Sequence, residues 1–130
     1  MKTVLIVDDD EMVLEAIDLL VSQAEGLRSI RSLGVSSAHS ALQQARIDVL
    51  VADVILTGST TGIELCERAI EHHPTIAIVV ITADNEVQRD DIPKRGIFLR
   101  KPFGGKQLLE AIDAAQDRAR EEARGHKHTD

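Results

Sequence analysis

The sequence is poor in aromatic and in basic residues. It has no Trp, no Tyr and two Phe among 130 residues, and its 15 Lys and Arg against 22 Asp and Glu leave a net charge of −7. Proteins that bind single-stranded nucleic acid stack bases on aromatic side chains, and a negative chain is repelled by phosphate backbones and anionic lipid. We therefore expect neither a nucleic-acid partner nor a membrane partner.

Cysteine and long apolar runs are equally scarce. Cys66 is the single cysteine, so it has no partner for an internal disulfide, and its helical spacing with Ile63 and Ile70 indicates a small buried hydrophobe. The first apolar run, residues 4–7, is far too short for a signal peptide or a membrane span. These features predict a cytoplasmic protein.

The length bounds the organisation of the chain. A sequence of 130 residues is the size of one domain with one hydrophobic core. We expect that domain over residues 1–120, followed by a polar, disordered tail over residues 121–130. No output domain is expected after the last helix.

Hydrophobic patterning predicts five strands separated by amphipathic helices. Four segments are short continuous apolar runs, as in strands covered on both faces, and one alternates like an edge strand; they are residues 4–7, 28–33, 49–52, 76–81 and 97–99. The segments between them carry apolar residues at helical spacing. This alternation predicts an α/β fold, a doubly wound five-stranded parallel sheet with helices on both faces.

One crossover departs from the pattern. Residues 84–96 contain Pro93 and show almost no apolar periodicity, with Val87 and Ile92 as the candidates for a buried stripe. We expect the fourth helix to be short or irregular, over about residues 85–91, because Pro93 stops it.

Polar side chains follow the apolar runs where the strands end, and ligands bind at that edge of such a sheet. Each residue alone has an ordinary explanation as a cap, a turn residue or a surface lysine, and Asp10 is expected to cap a helix. Their joint occurrence at successive strand ends predicts a functional site, comprising Asp8, Asp9, Asp53, Thr82 and Lys101. Clustered carboxylates need a cation, and few hard oxygen ligands suit Mg²⁺.

The motifs Val7-Asp8-Asp9-Asp10, Asp53, Thr82-Ala83 and Lys101-Pro102-Phe103 resemble those of the receiver domains of two-component response regulators. The resemblance covers about residues 2–119 and implies the flavodoxin-like receiver fold. It implies that Asp53 is the phosphoacceptor and that Mg²⁺ is held by Asp8, Asp9, Asp53 and the backbone carbonyl of Ile55.

The resemblance also implies how the phosphoryl group is bound and sensed. Lys101, Thr82 and Ala83 would bind it, with Thr82 as the switch hydroxyl, and Phe98 would be the aromatic partner of that switch. The donor would be a sensor histidine kinase or a histidine phosphotransfer protein, and the signal would pass to an unknown downstream protein. Such a chain is a signalling phosphoacceptor that catalyses only its own phosphorylation and dephosphorylation, and messenger, phosphate sink and shuttle stay open as roles.

The loop after Asp53 departs from the family pattern. It has Thr57 where many receivers have proline, is one residue longer than usual, and should be more mobile over residues 57–61. Ile55 and Asp84 take the positions that flank the path of a hydrolytic water, so we expect these two residues to modulate the loss of the phosphoryl group.

Two other functions use the same residues. The first is a phosphorylation-independent interaction module, which would keep the fold but have lost the switch. The unusual loop after Asp53 and the short or irregular fourth helix favour this function, whereas the intact acidic residues argue against it. A phosphatase of the haloacid-dehalogenase type would use the Asp8-x-Asp10 spacing at the first strand, but no substrate cap is evident, and Asp53, Thr82 and Lys101 fit a receiver better.

Overall fold

The structure is a computed structural model that describes residues 1–54, 62–83 and 88–128. Strands and helices alternate along the chain. Their bounds are β1 Lys2–Val7, α1 Glu11–Gln23, β2 Leu27–Ser32, α2 Val35–Gln44, β3 Val49–Asp53, α3 Gly62–His72, β4 Ala77–Thr82, β5 Ile97–Arg100 and α4 Gly105–His128.

The five strands form one parallel sheet in the order β2-β1-β3-β4-β5. β3 and β4 are buried at every residue, whereas β5, at one edge, is half-buried throughout. The prediction of a doubly wound five-stranded sheet is confirmed, and the buried inner strands are the continuous apolar runs of the sequence.

The core has one layer on each side of the sheet. Successive side chains of a strand point to opposite faces, so Leu5 and Val7 belong to a cluster with α2 and α3, and Val4 and Ile6 to a cluster with α1 and α4. We call these the first and second core clusters. Cys66 is fully buried in the first, as predicted, and burial raises the pKa of its thiol to about 12.

The connection between β4 and β5 is short of helix in its described part. A single 3-10 turn spans Arg89–Asp91, and Pro93 follows it. Ile92 packs into the first core cluster, as its sequence position predicted. The expected short or irregular fourth helix is confirmed over these residues, while Val87 lies outside the described part of the chain.

Helix α4 continues to His128, so residues 121–128 are helical where we expected a disordered tail over residues 121–130, and residues 129–130 lie outside the described part of the chain. The Arg95 side chain, 8% exposed, donates to Glu122 Oε2 at 3.0 Å and so holds this part of α4 against the domain. Glu and Ala are also good helix formers. No helix in the described residues is long and apolar enough to cross a membrane.

Candidate functional site

A cavity of about 430 Å³ opens at the carboxyl edge of the sheet. The carboxyl ends of neighbouring parallel strands meet there, so residues far apart in sequence come together. The cavity is lined by Asp8, Asp9, Asp10, Asp53, Thr82, Ala83 and Lys101. The predicted convergence of residues at the strand ends is therefore present in the fold.

The carboxylates of the cavity differ in their surroundings. Asp8, just after β1, is fully buried, and one of its oxygens accepts the backbone N–H of Asp10 at 2.9 Å. Asp53, at the end of β3, is 8% exposed, and Asp9 is exposed. Asp10 caps α1 by accepting the N–H of Met12 at 2.9 Å, as predicted. That use of Asp10 removes support from the phosphatase hypothesis, which needs its carboxylate in the reaction.

Lys101 brings a positive charge among these carboxylates. Its Nζ lies 2.9 Å from Asp53 Oδ2 and 3.2 Å from Asp8 Oδ2, and the Lys101 side chain is 20% exposed. The backbone fixes its position, because the Lys101 N–H donates to the Thr82 carbonyl at 2.8 Å. One ammonium group thus bridges the two least exposed carboxylates of the site.

Burial and charge shift the acid–base properties of this group. Burial raises the pKa of Asp8 above its ordinary value, against the opposite effect of its hydrogen bonds from Asp10 and Lys101. Burial alone would lower the pKa of Lys101, but its hydrogen bonds to Asp53 and Asp8 and their negative charges outweigh it and raise that pKa. Lys101 is therefore held in its charged form.

The acidic side chains are close enough to share a cation. One carboxylate oxygen from each of Asp8, Asp9 and Asp53 lies within 4.8 Å of the others. Carboxylate oxygens are ligands for hard divalent cations. This cluster could hold a metal ion beside the ammonium group of Lys101.

Thr82 and Phe98, the two predicted switch residues, have different positions. Thr82 ends β4, lines the cavity and is fully buried, whereas Phe98 lies on β5 outside the cavity and packs against the first core cluster. The structure thus brings Thr82 to the acidic site and puts Phe98 beside it on the neighbouring strand. Ile55, Asp84 and the loop over residues 57–61 lie outside the described residues.

Two residues near the site were not singled out from the sequence. A Cβ at Gly62 would lie 1.8 Å from the Asp53 carbonyl oxygen, so only glycine allows α3 to begin this close to β3. Arg100 lies with its Cζ 4.9 Å from the centre of the Phe98 ring. A glycine at a helix start is a recognisable signal, whereas the contact of Arg100 is visible only once β5 is assigned as a strand.

Comparisons with known proteins agree with this geometry. The family model of the response regulator receiver domain matches residues 4–113 of this chain. The phosphate regulon transcriptional regulatory protein PhoB of Pseudomonas aeruginosa is 30% identical over 119 residues, which are 87% of this chain and 51% of PhoB. The response regulator receiver protein CpdR of Brucella abortus is 28% identical over 116 residues, or 87% of this chain and 95% of CpdR.

Solved structures show the same fold. A response regulator receiver protein from Sinorhizobium medicae superposes with a TM-score of 0.83 at 24% identity, over 91% of this chain and 96% of that one. This chain spans about half the length of several curated relatives that it matches. From the match over residues 4–113 and the shared fold, the chain belongs to the response regulator receiver domains of two-component systems.

Proposed function

We propose that this receiver domain accepts a phosphoryl group on Asp53 from a phosphohistidine and transmits the change by protein contact. The observation that carries the proposal is the contact of Lys101 with Asp53 at 2.9 Å, inside a cavity that three further carboxylates line. A fixed cation against one particular carboxylate marks the position where additional negative charge is accommodated.

The chemistry follows from the residue types. A carboxylate oxygen of Asp53 attacks phosphorus, the bond from phosphorus to the donor imidazole nitrogen breaks, and that nitrogen keeps the electron pair. Asp53 needs no general base, because an ionised carboxylate has no proton to lose. Lys101 neutralises charge on the phosphoryl oxygens, and Thr82 and Ala83 line the same cavity.

We propose Mg²⁺ as the cation, held by Asp8, Asp9, Asp53 and the backbone carbonyl of Ile55. The spacing of the three carboxylates within 4.8 Å fits a small divalent ion. When bound, Mg²⁺ supplies further neutralisation of the phosphoryl oxygens. Asp8 and Asp9 then act as its holders, and Asp53 is both a ligand and the acceptor.

Thr82 and Phe98 form the proposed switch. The phosphoryl group on Asp53 attracts the Thr82 hydroxyl, and the movement of Thr82 leaves volume that an aromatic ring can fill. The half-buried position of Phe98 on the adjacent strand supports this pairing.

The family supplies the kinds of partner. Receiver domains interact with histidine kinases and with downstream effectors. We propose that the donor here is a sensor histidine kinase or a histidine phosphotransfer protein in the cytoplasm, and that the domain catalyses only its own phosphorylation and dephosphorylation. The absence of a nucleic-acid or membrane partner stays a prediction from the net charge.

Intact-mass measurement after incubation with acetyl phosphate tests the proposal. The wild type should gain one phosphoryl group with Mg²⁺ and none with excess chelator, and Asp53→Asn should gain none because an amide lacks the attacking anion. Asp10→Asn is the matched control: it removes a carboxylate of the same cavity but keeps a side chain that caps helices equally well, so it should still be labelled. Labelling of Asp53→Asn at the wild-type rate would refute the assignment, and an unlabelled, folded wild type would favour the phosphorylation-independent module.

A further inference from the structure

Arg100 and Phe98 form a contact that the proposed reaction does not use. Both lie on β5, two residues apart, and residues with that spacing point to the same face of a sheet. The guanidinium carbon lies 4.9 Å from the centre of the ring, a distance at which a cation is attracted by the face of an aromatic ring. The ring of Phe98 is thus held by a charged group as well as by the apolar core.

The same pair lies beside Thr82. In the ladder between β4 and β5, Val80 is opposite Phe98 and Thr82 is opposite Arg100. Phe98 and Val80 both belong to the face of the first core cluster, and alternation along each strand puts Thr82 and Arg100 on that face too. Any movement of the Phe98 ring toward Thr82 therefore takes place next to the Arg100 side chain and changes the contact.

We propose that Arg100 is a positioning residue of the switch, which holds the Phe98 ring in its present position and so sets how readily the ring moves when Asp53 carries a phosphoryl group. This inference rests on the proposed function of Asp53, Thr82 and Phe98. A cation–ring contact at a partly exposed site changes an equilibrium constant by about 2- to 5-fold. Arg100 therefore tunes the balance between two states and does not decide whether phosphorylation occurs.

A double-mutant cycle on beryllofluoride binding tests the inference, since beryllofluoride in the presence of Mg²⁺ imitates the phosphoryl group. The dissociation constant is measured for the wild type, Arg100→Val, Phe98→Leu and the double variant. Loss of the Arg100 charge weakens anion binding equally in the protein with Phe98 and in the Phe98→Leu variant. Loss of the contact that holds the ring strengthens binding only in the protein that has Phe98. We expect the effect of Arg100→Val to be about 2- to 5-fold more favourable with Phe98 than with Phe98→Leu.

Arg31→Val is the matched control for the cycle. Arg31 lies on β2, the opposite edge strand, and pairs with Asp18, so its loss removes the same charge from the same sheet. Its effect should be equal in the two backgrounds. An equal effect of Arg100→Val in the two backgrounds would overturn the inference.

Ring resonances give a second measurement that needs no bound anion. The chain has two Phe, Phe98 and Phe103, so phenylalanine labelling gives two ring spin systems, of which Phe103 is an internal reference. Arg100→Lys keeps the charge but loses the planar group, and it should shift the Phe98 resonances and leave those of Phe103 in place. Unchanged Phe98 resonances in both Arg100→Lys and Arg100→Val also overturn the inference. A wild type that binds no beryllofluoride would instead refute the proposed function, and the resonances would still decide whether Arg100 positions the ring.

Discussion

Lys101 and Arg95 are two cations with little exposed surface at opposite ends of β5, and their contacts differ. Lys101, at the carboxyl edge, contacts two carboxylates in an open cavity, and its side chain is 20% exposed. Arg95, which precedes β5 near the amino edge, is 8% exposed and donates to Glu122 and to the carbonyls of Pro74 and Ile76. Both bring distant segments together, but Lys101 lines a cavity of about 430 Å³, whereas the Arg95 guanidinium donates to three fixed acceptors.

The difference shows why the two positions have different residue types. The planar fork of arginine has five donors in fixed directions and suits several acceptors that do not move. The ammonium group of lysine is a compact charge on a flexible stem and can follow oxygens whose positions change. Arg95 therefore suits acceptors that stay in place, and Lys101 suits the proposed phosphoryl group, whose charge is gained and lost.

The largest expected effect is that Lys101→Met slows the transfer of a phosphoryl group to Asp53. Met keeps an unbranched stem of similar length and removes the charge 2.9 Å from Asp53. Loss of one group that neutralises developing charge slows such reactions by about 100-fold or more. The initial rate of labelling by acetyl phosphate measures this, with Lys106→Met as control because the Lys106 side chain is 90% exposed on α4. A rate within a few-fold of the wild type would remove Lys101 from the reaction.

The next prediction concerns the contribution of Arg95 to the stability of the fold. Arg95→Met removes the donor to two carbonyls and to Glu122, and charged hydrogen bonds of this kind indicate a loss of about 3 kcal/mol in the free energy of unfolding. The folded variant should still be labelled at Asp53 at the wild-type rate. Urea unfolding measures the loss.

Arg118→Met is the matched control for Arg95→Met. Arg118 donates to the carbonyls of Lys94 and Gly96 over longer distances, 3.4 and 3.2 Å, so its replacement should cost about 1 kcal/mol. If the two variants were equally stable, burial of Arg95 would not be what holds the end of α4.

The sequence predicted which residues gather around Lys101 at the carboxyl ends of the strands, but it did not predict the contacts of Arg95. Strand ends are marked by the point where an apolar run stops, and parallel strands bring those points together, so Asp8, Asp53 and Thr82 could be assigned to one site in advance. The contacts of Arg95 depend on where a long side chain reaches across loops and a helix, and no local pattern encodes that. Helix α4 extends past residue 120 partly through a contact of this kind, because Glu122 is bound by Arg95 from another part of the chain.

The smallest expected effect concerns how long the phosphoryl group stays on Asp53, and it involves Ile55 and Asp84, which lie outside the described residues. From the family pattern, we propose that Ile55 and Asp84 flank the path of a water that attacks phosphorus from behind. Ile55 offers methyl groups, which neither orient a water nor accept a hydrogen bond from it. We propose that this residue lengthens the lifetime of the phosphorylated form.

The measurement is the rate at which the phosphorylated protein decays in the wild type and in Ile55→Asn, with Ile55→Val as an apolar control. Asn can hold the attacking water, and one net hydrogen bond of about 1 kcal/mol corresponds to roughly five-fold faster decay. Asp84→Ala should slow decay, since it removes a carboxylate able to hold that water. Ile55→Val should decay like the wild type, because its side chain is still apolar. If Ile55→Asn decays no faster than Ile55→Val, exclusion of water by Ile55 does not set the lifetime, and the loop over residues 57–61 becomes the segment to vary.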